Sequence, residues 1–172
     1  MVFVTTGWIA DAGPYAAGRR PGHMLSWNQI REAAAAGVEI GTHSHGHPQL
    51  DQVALSELRT ELTTSKALLE DTLGFAVPGL AYPFGYSNSR VRQVASNIGF
   101  AHAYAVGNVI ARPGSDPLAW LRRTIRHSTR PAPFDVIAYE PLIYVKDRFV
   151  TKGWAIVRRT RATAADAVRT KE

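Results

Sequence analysis

Three times in the first hundred residues a stretch with helical spacing ends on a glycine and is followed closely by a short apolar segment. "SWNQIREAAAAG" is followed by "VEIG", "LSELRTELTTSKALLEDTLG" by "GLAY", and "SNSRVRQVASNIG" by "FAHAYAV". Gly37, Gly74 and Gly99 each stand where a helix needs a left-handed residue to stop. Ser26 and Gln29, three apart, have the spacing of a capping box. Leu55, Leu58, Leu62, Leu69 and Leu73 share one helical face, as do Val91, Val94, Ala95 and Ile98. The chain opens on "MVFVTTGWI", a further apolar, β-branched run that reads as a buried strand ending at Gly7. Strands alternating with helices over short connections predict parallel strands with crossover helices, as a barrel or a wound sheet. Past about residue 107 the pattern weakens, and "GNVIARPGSDPLAWLRR" reads as loop.

The length, 172 residues, suits one domain, and 45% hydrophobic residues suffice for a core. No run reaches membrane-spanning length. The opening segment lacks a basic leader and so does not read as a signal peptide. The net charge of +6 is concentrated after Lys146, where basic residues outnumber acidic ones. No nucleic-acid motif accompanies that charge, and the aromatics do not interleave with it, so a solvated tail is expected rather than a nucleic-acid surface. With no cysteine in the chain, any metal must sit on His, Asp or Glu.

Half of the six histidines fall in "HSHGH", as His43, His45 and His47. They follow "VEIG", and "YPFG" follows "GLA", so both segments are predicted at the C-terminal end of the sheet, where sites of such folds lie. Neutral imidazole is a common ligand for zinc-like metals. If Pro48 begins a helical turn, His43 and His47 point at one ion. If the segment stays extended, all three histidines share one face. Two ligands do not complete a site, so a carboxylate is expected from elsewhere.

"GVEIGTHSHGHPQL" resembles the metal-binding motif of the polysaccharide deacetylases (carbohydrate esterase family four), whose pattern is His-Ser/Thr-x-x-His. "MLSWNQIREAAAAG" looks like the helix before that motif. "LAYPFGYSN" is similar to the next one, Arg-x-Pro-aromatic-Gly, with Ala81 in the arginine place. "MVFVTTGWI" looks like the family's second strand, and the likeness runs to about residue 125.

The resemblance implies an α/β fold, a distorted (β/α) barrel, here incomplete because the first strand and its Asp-Asp motif are missing. It implies a metal-dependent hydrolase that removes acetyl groups from N- or O-acetylated sugars of a polysaccharide or oligosaccharide. The cofactor would be a divalent metal, zinc in many members, on His43 and His47. Tyr82, Pro83, Phe84 and Gly85 would shape the substrate wall, and the N–H after Pro83 would face the oxyanion. The late catalytic histidine has one candidate, His127. The family's aspartate pair, which supplies the third ligand and the general base, has no counterpart: no two aspartates are adjacent in this sequence, and Asp11 follows the wrong strand. An alternative reading is therefore a catalytically inactive copy that keeps the fold and a weak metal or glycan site. A His-x-His reading of His43 and His45, as in amidohydrolase barrels, leaves "AYPFG" without a role.

Residues 1–125 are thus expected to form a partial deacetylase domain and residues 126–172 a basic extension, helix plus tail. A barrel lacking its first strand would expose sheet edges, so self-association is expected. Family members are commonly exported or attached to the cell surface.

Overall fold

The computed structural model describes residues 1–107 and 114–122. Met1–Ala105 and Pro113–Trp120 form one compact unit. Of the second, Val106–Arg112 with Leu121–Glu172, the described residues are Val106, Gly107, Leu121 and Arg122. The predicted extension over 126–172 and the candidate His127 lie outside the described residues.

Five strands form one sheet in the order β1-β2-β3-β4-β5: β1 Val2–Val4, β2 Ile40–Thr42, β3 Gly79–Ala81, β4 His102–Val106 and β5 Trp120–Arg122. The first three neighbouring pairs are parallel, with Val4 beside Thr42, Thr42 beside Leu80, and Ala81 beside Tyr104. Helices α1 (Trp27–Ala35), α2 (Leu55–Leu73) and α3 (Ser89–Ile98) make the crossovers. This is the α/β alternation expected of a barrel of this type, and among the described residues the sheet stays open.

Local chemistry sets the helix ends. Ser26 Oγ accepts from the N–H of Gln29, and the Gln29 side chain accepts from the N–H of Ser26, so the capping box is complete. Asp11 also serves α1: its carboxylate accepts from the N–H of Trp27 at 2.9 Å. Asn88 caps α3 through the N–H of Val91. Gly74 and Gly99 end α2 and α3 with φ of 74° and 92°, values at which a Cβ would be strained.

Helix α2 joins two core clusters. Leu58 and Leu62 pack with Leu80, Tyr82, Val91 and Phe100, whereas Leu69 packs with Val4, Ile30, Ile40 and Val77. Each of the three leucines is fully buried, a contribution of about 1.5–3 kcal/mol apiece. Leu55, placed on the same face by spacing, is 41% exposed. It lies in the first turn, before the helix meets the sheet.

Two elements differ from the expectation. The opening strand stops at Val4, and Thr6–Trp8 forms a 3-10 turn instead. The N–H groups of Thr6 and Gly7 there reach the carbonyls of Ser44 and His45, so the chain bends to follow the histidine segment. The segment read as loop after residue 107 contains a short 3-10 turn, Pro117–Ala119, and strand β5.

Candidate functional site

The site grows from the end of β2. His43 leaves the strand with its N–H still donating to the carbonyl of Val4 at 2.8 Å. No helical turn follows, and the segment is not extended, so neither expected route accounts for the histidines. Ser44 and His47 instead adopt φ of 64° and 62°. Left-handed conformations at non-glycine residues cost about 1–3 kcal/mol each and need fixed contacts to persist. Those contacts are present. Ser44 Oγ accepts from the N–H of His47 at 3.0 Å. One carboxylate oxygen of Glu61, on α2, accepts from the N–H groups of His45 and Gly46 at 2.9 and 2.7 Å.

This tight turn brings the Nε2 atoms of His43 and His47 to 3.2 Å. His43 Nδ1 lies 2.6 Å from the carbonyl oxygen of Ala81. A carbonyl only accepts, so Nδ1 carries the proton and Nε2 presents its lone pair toward His47. Two nitrogens bound about 2.0–2.1 Å from a tetrahedral ion stand about 3.3 Å apart, so this pair fits two ligands of such an ion. Among the described residues no set of three His, Asp or Glu side chains converges on one point. Asp11 is engaged at the start of α1, away from this role.

His45 turns aside, as the paired reading requires, and its Nδ1 meets Thr6 Oγ1 at 2.8 Å. The ring of His47 lies between two aromatics. Trp8 is 4.6 Å away at 30°, and Phe84 is 4.8 Å away at 65°. This partial burial lowers the pKa of His47, with a backbone hydrogen bond and the charge of Glu61 opposing the shift. The shift favours the neutral ring, the state a ligand needs.

The "YPFG" residues divide. Tyr82 is fully buried among the core leucines, and its phenol donates to the carbonyl of Leu118 at 2.8 Å. Burial raises the pKa of that phenol strongly. Pro83 and Gly85 are buried as well. Phe84 has φ of 58°, is 55% exposed and stands edge-on to His47, with Tyr86 stacked beside it. The sequence reading missed Thr6, Trp8 and Glu61. No local pattern marks them, because each acts on residues at least fifteen positions away.

The sequence model of the polysaccharide deacetylase family matches residues 1–103, which include the histidine turn and the "YPFG" segment. The chain belongs to the polysaccharide deacetylase family. Solved structures agree with that fold. A Streptococcus pyogenes deacetylase, PplD, in complex with acetate superposes with a TM-score of 0.65 at 23% identity, covering 70% of this chain and 53% of that one. A Bacillus cereus polysaccharide deacetylase gives 0.63 at 21% identity, covering 78% and 40%. A de-N-acetylase from Aggregatibacter actinomycetemcomitans gives 0.63 at 18%, covering 77% and 62%. The chain spans about half the length of these structures. In this member of the family the His43–His47 segment is a turn held by Ser44, Glu61 and Thr6.

Proposed function

We propose that this chain forms the histidine side of a metal-dependent site that removes acetyl groups from N- or O-acetylated sugars of a polysaccharide or oligosaccharide. The observation that carries the reading is the convergence of His43 Nε2 and His47 Nε2 at 3.2 Å, with His43 locked in one tautomer by Ala81. His43 and His47 would hold a divalent cation such as zinc, one of the ions that imidazole suits. When bound, such an ion supplies Lewis-acid polarisation of an acetyl carbonyl and a lowered pKa for water.

The chain's own residues do the rest of what can be assigned. Trp8 and Phe84 flank His47 and shield the pair from water. Phe84, exposed beside it, offers an aromatic face to a sugar ring. The N–H of Phe84, which follows Pro83, is the family's position for an oxyanion donor.

A second reading is a non-catalytic metal or glycan binder. It is favoured by the lack of a third converging donor among the described residues. One experiment separates the two. The chain is loaded with zinc and incubated with N-acetylated and O-acetylated oligosaccharides, and released acetate is measured against His43→Ala and His47→Ala. Acetate from the parent chain, lost in both variants, supports hydrolysis. Zinc uptake without acetate supports the binder. Acetate release equal in all three removes the histidines from the chemistry.

A further inference from the structure

We infer that Glu61 is the positioning residue of the histidine pair, the group through which helix α2 fixes the separation of His43 and His47. The inference concerns the metal-free turn, and its consequence for metal uptake rests on the reading above.

A single oxygen, Glu61 Oε2, accepts from two successive backbone N–H groups, those of His45 and Gly46, at 2.9 and 2.7 Å. Two neighbouring N–H groups aimed at one point form a small anion-binding concavity. Here the chain fills it with its own carboxylate. Bonds of this kind, with a charged acceptor, are about twice as strong as neutral ones.

The turn needs such an anchor. Ser44 and His47 both hold left-handed φ, and the two residues between them carry the N–H groups that Glu61 takes. Further hydrogen bonds to Ser44, His45 and His47 come from within the turn, through Ser44 Oγ, and from the segment after β1, through Thr6 and Gly7. Glu61 arrives from a third element. It stands three residues after Leu58 and four before Ser65, both fully buried, so its place on α2 is fixed by the core. Gly46 is shaped to receive it: a Cβ there would stand 3.0 Å from Glu61 Oε1. Removal of the carboxylate leaves two inward N–H groups unsatisfied and lets the left-handed residues relax. His47 would then leave both Trp8 and His43.

The test uses the full chain with three substitutions. Glu61→Gln keeps an oxygen able to accept both N–H groups. Glu61→Asp keeps the charge but draws the carboxylate back by one methylene. Glu61→Ala removes the acceptor. The first readout is metal-free: the ring-proton resonance of His47 by NMR, assigned by its loss in His47→Ala and shifted by the current of the Trp8 ring. The second is zinc affinity by calorimetry. We expect the shifted resonance in the parent and in Glu61→Gln, and its collapse toward the exposed position in Glu61→Ala and Glu61→Asp. Zinc affinity should fall at least tenfold in the last two and stay within about threefold in Glu61→Gln. If Glu61→Ala does not fold, Glu61→Asp against Glu61→Gln decides the matter. A His47 resonance unchanged in Glu61→Ala or Glu61→Asp overturns the inference, as does a Glu61→Gln variant that behaves like the alanine one. If the parent takes up no zinc, the metal reading falls, while the metal-free resonances still decide the role of Glu61.

Discussion

His43 Nδ1 lies 2.6 Å from the carbonyl oxygen of Ala81, so strand β3 determines which nitrogen of the histidine that follows β2 turns toward His47. The family pattern has an arginine where this chain has Ala81. The backbone contact does not depend on that side chain, so the tautomer survives the difference. At neutral pH, without metal, nitrogen NMR of the chain should show His43 protonated on Nδ1 and bare on Nε2. A proton on Nε2 alone would break the link between Ala81 and the ligand geometry.

His47 should titrate below 6.5, because burial between Trp8 and Phe84 disfavours its charged form. The sign follows from linkage. The folded chain holds the proton less tightly than the unfolded chain. The contribution is therefore full above about pH 6.5 and is lost as pH falls through the lowered folded value. Unfolding in urea between pH 7 and pH 5 should show a fall in stability that flattens in His47→Ala. A parallel fall in both proteins would assign the dependence to another group.

Glu70 ties the end of α2 to the approach to β3. Its carboxylate accepts from Lys66 Nζ and from the N–H of Val77 at 2.8 Å, while Lys66 also donates to the carbonyl of Val77 at 3.1 Å. Burial alone would raise the Glu70 pKa, but Lys66 and the Val77 N–H outweigh it and hold the group below 4.5. Its contribution is thus present above about pH 4.5 and is lost as pH falls through the lowered value. Glu70→Gln should cost about 1 kcal/mol at pH 7 and much less near pH 3. Equal costs at both values would mean that the charge is irrelevant.

Tyr82 tests where the core ends and the site begins. Tyr82→Phe should lower stability by about 1 kcal/mol, because the partly buried carbonyl of Leu118 loses its donor. Zinc uptake should be unchanged, since the phenol points into the core and the pair is held by other groups. A weakened affinity for zinc with unchanged stability would return Tyr82 to the pocket.

The helices and the sense of the sheet were legible because their signals are local. The Ser26–Gln29 box and the glycine stops each act within a few residues. The grouping of His43 with His47, apart from His45, was legible from the family motif. The means of that grouping was not. Left-handed φ at Ser44 and His47 is held by Ser44 Oγ within the turn and by Glu61, Thr6 and Gly7 from outside it, and a local pattern carries no trace of the outside contacts. Strand β1 was read too long for the same reason, since Thr6 and Gly7 are drawn out of the strand by the turn they serve. "YPFG" was read as a substrate wall from the family resemblance. Burial split it, with Tyr82 in the core and Phe84 outside.

The most direct test of the account is zinc binding by the purified chain at pH 7.5, measured by calorimetry for the parent, His43→Ala, His47→Ala and His45→Ala. The account predicts one zinc per chain in the parent, loss of at least tenfold in affinity on removing either His43 or His47, and little change on removing His45, whose ring turns to Thr6. Affinity that survives loss of His47 but not of His45, or that is unmoved by all three, would contradict it.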